Sequence, residues 1–193
     1  MKNNAYKLLI EELEKYNPNM TTGFKLKLPD HLFEIGYKKG CRVLNYKQIQ
    51  EVGLFIYKGS AMELSVNPIT LEETASNFWF EKDFPYTTPG LFSKEPSPSY
   101  IKLLEDTLFV GIPFSEFLSM KNEFPEVELL SESIRSHYER KRHELEEYYR
   151  HSAKHRVKHL ELAHPNIYNL AEIQHIAQFH RISVKTLSRL RGK

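Results

Sequence analysis

The side chains best suited to chemistry lie near the end of the chain, in Ser183-Val184-Lys185-Thr186-Leu187-Ser188-Arg189-Leu190-Arg191. Helical spacing there exposes Lys185, Ser188, Arg189 and Arg191 beside Thr186, a set of donors suited to phosphates and to base edges in a major groove. Ser183 is placed to cap that helix, with Val184 as its first residue. Upstream, Ile173, Ile176 and Ile182 join Leu187 and Leu190 where a helix-turn-helix needs its internal contacts, and Ala177 sits where two helices cross closely. Arg181 stands between the helices where such a motif usually has Gly for positive φ, a substitution that costs on the order of 1 kcal/mol. His180 precedes it at a position that is usually aliphatic. A purely structural helical hairpin has the same periodicity, so the DNA reading leans on the charge around the motif.

Other chemistries are poorly served. His151, His155 and His159 recur every four residues and would suit Zn²⁺ on one unbroken helix. A break expected at Ser152 spoils that register, and a solvated basic surface with no metal is the expectation. Cys41 is the single cysteine, so no intrachain disulfide or cluster can form, and beside Val43 and Leu44 it is expected as a small core residue. No Ser-His-Asp grouping, Gly-rich phosphate loop or supported Cys-His pair appears. A cupin-like metalloenzyme needs several ligands inside a β-barrel, and the β region offers only His31. No enzyme activity and no cofactor are therefore expected.

The 193 residues carry 27 Lys plus Arg and 25 Asp plus Glu, a near balance that conceals an asymmetry. Residues 1–134 hold 14 basic against 19 acidic side chains, whereas 135–193 hold 13 against 6 and eight of the nine histidines. A basic C-terminal third on a slightly acidic body is the footprint of nucleic-acid binding by one module. The start of the chain, with Lys7, Glu11, Glu12 and Glu14, is the wrong chemistry for a signal peptide. No apolar run approaches the roughly 18 residues of a membrane span, so a cytoplasmic protein with no membrane partner is expected.

The elements that must position the motif follow from periodicity. Residues 5–16 place Leu9, Leu13 and Tyr16 on one helical face. From about residue 31 the period becomes two, as in Phe33, Ile35 and Tyr37 and again in Met62, Leu64 and Val66. Short apolar runs at 43–44, 54–57, 78–80, 100–101 and 108–110 are separated by turn signals, with no helix-length pattern among them. An antiparallel roll or jelly roll is the packing this series predicts. Ser115 is the expected cap of a helical turn reaching Lys121. Residues 127–150 then contain neither Gly nor Pro, enough for a helix of about 36 Å. Its stripe Val127, Leu130, Ile134, Tyr138, Leu145 and Tyr148 is expected to bury itself against a second copy, with packing on the β domain as the alternative. Ser152 caps a further helix to about Ala163, which His164-Pro165-Asn166 ends.

This order resembles the Crp/Fnr family of bacterial transcription regulators over nearly the whole chain. Tyr37-Lys-Lys-Gly40, Phe55-Ile-Tyr-Lys-Gly59 and Leu104-Glu-Asp-Thr107 look like that family's strand and turn segments. Ser152-Ala-Lys-His-Arg156, Ile176-Ala177 and Thr186-Leu-Ser-Arg189 look like its DNA-binding module. The short members common in Bacteroidetes are the most similar in layout, and ending at Lys193 implies little or no C-terminal wing. The resemblance implies an α+β fold in three parts: a cyclic-nucleotide-binding-like β-roll sensor over 1–126, a long dimerisation helix over 127–151, and a helix-turn-helix domain over 152–193. It further implies a homodimer whose two recognition helices read half-sites about one DNA turn apart. Arg189 matches the family's base-contacting arginine, whereas Val184 and Lys185 depart at positions that help choose sequence.

The sensor end departs further. The family's cyclic-nucleotide binders use a Gly-Glu turn and an Arg-Ser pair; here Ser97 and Pro98 take the latter positions, and Phe78-Trp-Phe-Glu-Lys-Asp-Phe84 lacks the former. Each charge-assisted bond lost from a phosphate site is worth about 1.5–3 kcal/mol, so tight cAMP binding is not expected. The candidate pocket is Trp79, Phe80, Ser97, Ser99 and Tyr100, for an effector of unknown identity. The expected function is a DNA-binding transcription regulator with double-stranded DNA, itself and, for an activator, RNA polymerase as partners. Arg181 and Arg191 are expected on phosphates. The alternative is a sensor module whose terminal helices contact a protein instead of DNA.

Overall fold

The computed structural model describes residues 2–192; Met1 and Lys193 lie outside the described residues. Helix α1 (Lys2–Tyr16) buries Ala5, Leu9 and Leu13 along one face, as its periodicity requires. A short helix α2 (Thr22–Lys27) follows, and its cap is specific: Thr21 Oγ1 accepts the Phe24 N–H at 3.2 Å and donates to Glu126 Oε1 at 2.5 Å. Those bonds hold the Glu126 carboxyl below its usual range and fix the N-terminal helices to a segment a hundred residues away.

The strands are β1 (Phe33–Tyr37), β2 (Arg42–Leu44), β3 (Val52–Lys58), β4 (Ala61–Val66), β5 (Glu73–Trp79), β6 (Ser99–Leu103) and β7 (Thr107–Pro113). They form two antiparallel sheets, ordered β1-β7-β3 and β2-β6-β4-β5. The expected antiparallel roll is thus present. Gly59 makes its β3–β4 turn possible: at φ +110 a Cβ would stand 2.8 Å from Thr107 Cα. Cys41 is exposed in the β1–β2 turn and is not a core residue; the turn carries it out of the sheet although Leu44 nearby is buried.

Register decides what each face of the second sheet can do. Ala61, Glu63 and Ser65 of β4 stand opposite Leu103, Ile101 and Ser99 of β6, and Ala61 also faces Trp79. Met62 and Leu64 therefore point to the other, outer face, together with Phe78 and Tyr100. Both are almost fully buried, so something covers that face.

Helix α3 (Phe114–Glu123) begins directly after Pro113, and Ser115 lies inside it instead of capping it. Pro fits ahead of a first turn whose N–H groups lack intrahelical partners. Helix α4 (Glu126–Arg150) is unbroken. Its stripe, expected as a seam between copies with packing on the β domain as the alternative, packs largely within the chain. Val127, Leu130 and Tyr138 are buried within the chain, and Ile134, Leu145 and Tyr148 pack half-buried on the same chain's clusters. The N-terminal helices, the roll and the terminal helices supply most of the apolar cover that the stripe requires, and Ile134, Leu145 and Tyr148 keep part of their surface open. Helix α5 (Ala153–Ala163) starts at Ser152, whose Oγ accepts the His155 N–H at 3.3 Å as the sequence predicts. Helices α6 (Ile167–Leu170), α7 (Ile173–Phe179) and α8 (Val184–Arg191) complete the chain. Among the described residues no helix is long and apolar enough to cross a membrane.

Candidate nucleic-acid interface and the adjoining cavity

Helices α7 and α8 form the expected helix-turn-helix. Ile176, Ala177 and Leu187 are its buried core, Ile182 and Leu190 are half-buried, and Ile173 is exposed at the start of α7, outside the contacts expected of it. Arg181 does occupy the left-handed region, at φ +53. Ser183 Oγ accepts the Thr186 N–H at 3.1 Å and meets Thr186 Oγ1 at 2.9 Å, so the Thr186 hydroxyl is engaged in the cap.

The candidate DNA-contacting side chains fall into two groups. Ser183, Val184, Lys185, Ser188 and Arg189 are exposed on α8 or at its cap, and among the described residues neither Lys185 nor Arg189 meets a carboxylate. Arg181 and Arg191 are held by the chain itself. The Arg181 guanidinium lies 3.5 Å from the Tyr149 ring and 3.3 Å from Glu146; that of Arg191 lies 3.5 Å from the Tyr168 ring, with Glu161 at 3.8 Å.

Behind the motif, three residues that the sequence did not single out for this role join α4 to it. The buried Arg156 guanidinium donates to the carbonyls of Tyr149 and His151 at the end of α4, and to the His180 carbonyl at 2.9 Å. Tyr148 Oη donates to the Arg156 carbonyl at 2.8 Å and lies 2.8 Å from His180 Nδ1. One hydroxyl proton cannot serve both, so the arrangement closes with His180 Nδ1–H donating to Tyr148 and Nε2 bare. Nε2 is buried without a partner. A second proton there would be unsolvated and close to Arg156, and the His180 pKa is pushed down to about 4.

The outer face of the second sheet is covered by this same motif. Phe78 meets Phe179 edge-on at 5.1 Å, and Met62, Leu64 and Ala75 share one cluster with Ile167, Ile176 and Leu187. The Gln178 amide takes the place of a neighbouring strand along β5: its Oε1 accepts the Ala75 N–H at 3.2 Å and its Nε2 donates to the Glu73 carbonyl at 3.3 Å. Phe80 stacks on His164 with centroids 3.5 Å apart. Burial lowers the pKa of both His164 and His175, which favours the neutral rings on which this docking depends.

A cavity of about 830 Å³ runs along β5 between the roll and helices α4, α5 and α7. Of the candidate pocket residues it gathers Trp79 and Ser99 but not Phe80, Ser97 or Tyr100. Strand alternation explains Tyr100, which faces outward beneath Arg42 at 3.7 Å. Ser97 donates its hydroxyl to the Ser99 carbonyl at 2.9 Å, and Phe80 is engaged with His164. The cavity adds groups that the sequence did not bring together: Glu63 from β4, Arg142 and Tyr149 from α4, and Gln178, Phe179 and Arg181 from the helix-turn-helix. Burial pushes the Glu63 carboxyl above its ordinary range, against the pull of Ser99, Arg142 and Ser76. Nothing in the spacing of these residues signals the cavity, because it is formed by strands and helices far apart in the chain. The rings of His151 and His155 lie 4.6 Å apart, and no group of three or more potential ligands able to hold a metal ion occurs among the described residues.

No protein-family model matches this chain, and no curated protein does. Solved structures match over nearly its whole length. FixK2 from Bradyrhizobium japonicum superposes with a TM-score of 0.70 at 15% identity, covering 83% of each chain. A protein described as a transcriptional regulator of the crp/fnr family, from Eubacterium rectale, gives 0.68 at 18% identity, over 92% of this chain and 86% of that one. The catabolite activator protein of Thermus thermophilus gives 0.57 at 12% identity, over 94% and 85%. The chain has the Crp/Fnr fold, a β-roll, a long helix and a terminal helix-turn-helix.

Proposed function

We propose that this chain of Crp/Fnr fold is a sequence-specific DNA-binding transcription regulator of the cytoplasm. The observation that carries the reading is α8, capped by Ser183 and anchored by the fully buried Leu187, with Lys185, Ser188 and Arg189 turned to solvent. A rigid helix with donors on its exposed face is the geometry that major-groove recognition uses. Arg189 is the base-contacting candidate and Lys185 a guanine or phosphate contact; Arg181 and Arg191 are preorganised on Tyr149 and Tyr168 near the same end of the molecule.

A palindromic operator needs two such helices, so the acting species is a homodimer. Since the apolar stripe of α4 is used within the chain, its pairing surface is the opposite face of α4, from Leu129 through Ser136 to His143, all exposed. The large cavity is the effector site, and its occupant is not cAMP: Ser97 stands where the binders carry their Arg, Arg142 of the cavity faces the Glu63 carboxyl and Arg181 is engaged with Tyr149 and Glu146.

The test is selection of bound sequences from a random DNA pool by the full-length protein at moderate salt. Enrichment of a two-fold symmetric site with half-sites about one helical turn apart supports the reading. Binding that selects no sequence, with or without extracts of small molecules, removes it.

A further inference from the structure

A second cavity, of about 130 Å³, lies on the opposite side of the roll from the β5 edge, and its chemistry is different. It lies between the N-terminal helices, strands β3 and β7, helix α3, the 84–92 segment and the first turns of α4, with Leu9, Val110, Met120, Leu130 and Ile134 among its walls. Ser131 and Tyr86 are the polar side chains that border it. The Ser131 hydroxyl donates its one proton to the Val127 carbonyl at 2.6 Å. Tyr86 borders the large cavity as well, and its phenol lies in the field of Arg142, Glu139 and Arg135 on α4.

A water molecule needs two to four polar partners, and these walls supply almost none, so water is poorly held there. Its walls also forgo the dispersion contacts that a filled core makes. An apolar cavity of about 150 Å³ accepts a benzene-sized guest, and an ion would enter with no group to replace its hydration. A smaller void of about 20 Å³ shares Gly53, Leu91 and Phe92 with it beside the half-buried 91–92 segment.

We propose that this cavity is a binding site for a neutral apolar molecule of about six carbon atoms, a single aromatic ring or a short hydrocarbon chain. It is separate from the effector cavity and does not depend on the DNA-binding reading.

The experiment is a titration of the full-length protein, isotope-labelled at its Leu, Val, Ile and Met methyl groups, with benzene and in parallel with benzoate. Saturable shifts centred on Leu9, Val110, Met120 and Leu130 with benzene alone are expected, with a rise in Tm that follows benzene concentration. Leu130→Phe fills the space and is expected to weaken benzene binding about tenfold or more. Should that variant fail to fold, the methyl shifts of the parent decide by themselves. Shifts that do not saturate, that scatter over exposed residues such as Ile69 and Leu162, that centre instead on Leu145 and Leu160 at the larger cavity, or that appear equally with benzoate, overturn the proposal.

Discussion

Arg189 and His180 lie nine residues apart and depend on opposite surroundings. Arg189 is exposed and unpaired among the described residues, so no ion pair within the chain depends on it. Arg189→Ala is expected to weaken operator binding by about 1–3 kcal/mol while changing unfolding free energy by less than about 0.5 kcal/mol, measured by electrophoretic titration and urea melts. His180 is fully buried, and its folded pKa of about 4 lies below the ordinary 6.5. Between those values the unfolded chain binds more protons than the folded one. The stability from keeping the ring neutral is therefore complete above pH 6.5, declines as pH falls through the window and is gone below about 4. A shift of that size corresponds to about 3 kcal/mol. The urea midpoint should fall on acidification from about pH 7 to 4.5, and His180→Phe should flatten that profile. Lowered pKa values at His164 and His175 act in the same direction.

Helices α4 and α7 have partners within the chain that decide what their substitutions will do. Leu130 is buried among the N-terminal helices and the roll, so Leu130→Ala should cost about 2–4 kcal/mol of stability through the cavity it leaves. Analytical ultracentrifugation should find the oligomeric mass unchanged; dissociation at unchanged stability would return the stripe to a seam between copies. On α7, Gln178 is the polar part of the docking. Gln178→Ala leaves the Ala75 N–H and the Glu73 carbonyl without their partner, a loss of about 1–2 kcal/mol. Amide exchange should accelerate at Ala75 and across α7, with α1 and β7 unaffected. Uniform acceleration over the whole chain would mean that the motif and the roll open as one unit.

For the whole molecule, the charge division and the docking combine. The acidic body and basic terminal third are joined through apolar side chains and neutral histidines, which leaves Lys185 and Arg189 for an outside anion. DNA affinity should fall with salt at about −0.9 per phosphate neutralised, and Lys185→Ala should reduce that slope by about 1 per recognition helix. A slope near zero would favour a protein partner for the terminal helices. Titration calorimetry with cAMP should give no saturable heat, since Ser97 stands where a guanidinium would be needed and its hydroxyl is committed to Ser99.

What the sequence determined by itself was local. Period-two and period-3.6 patterns, the caps at Ser152 and Ser183, and the small Ala177 concern groups a few residues apart, and their geometry follows from backbone hydrogen bonding. Arg181 belongs with them, since only positive φ turns the chain tightly enough there. The tertiary structure alone decided where each apolar surface went. Burial of apolar area is favourable and non-directional, so a stripe on α4 must be covered but does not say by what. The roll covered it, and α7 covered the outer face of β4 that Met62 and Leu64 would otherwise expose. The same undirected choice set which pocket candidates face inward, brought Glu63 and Arg142 to one cavity, and lined the other almost wholly with apolar side chains.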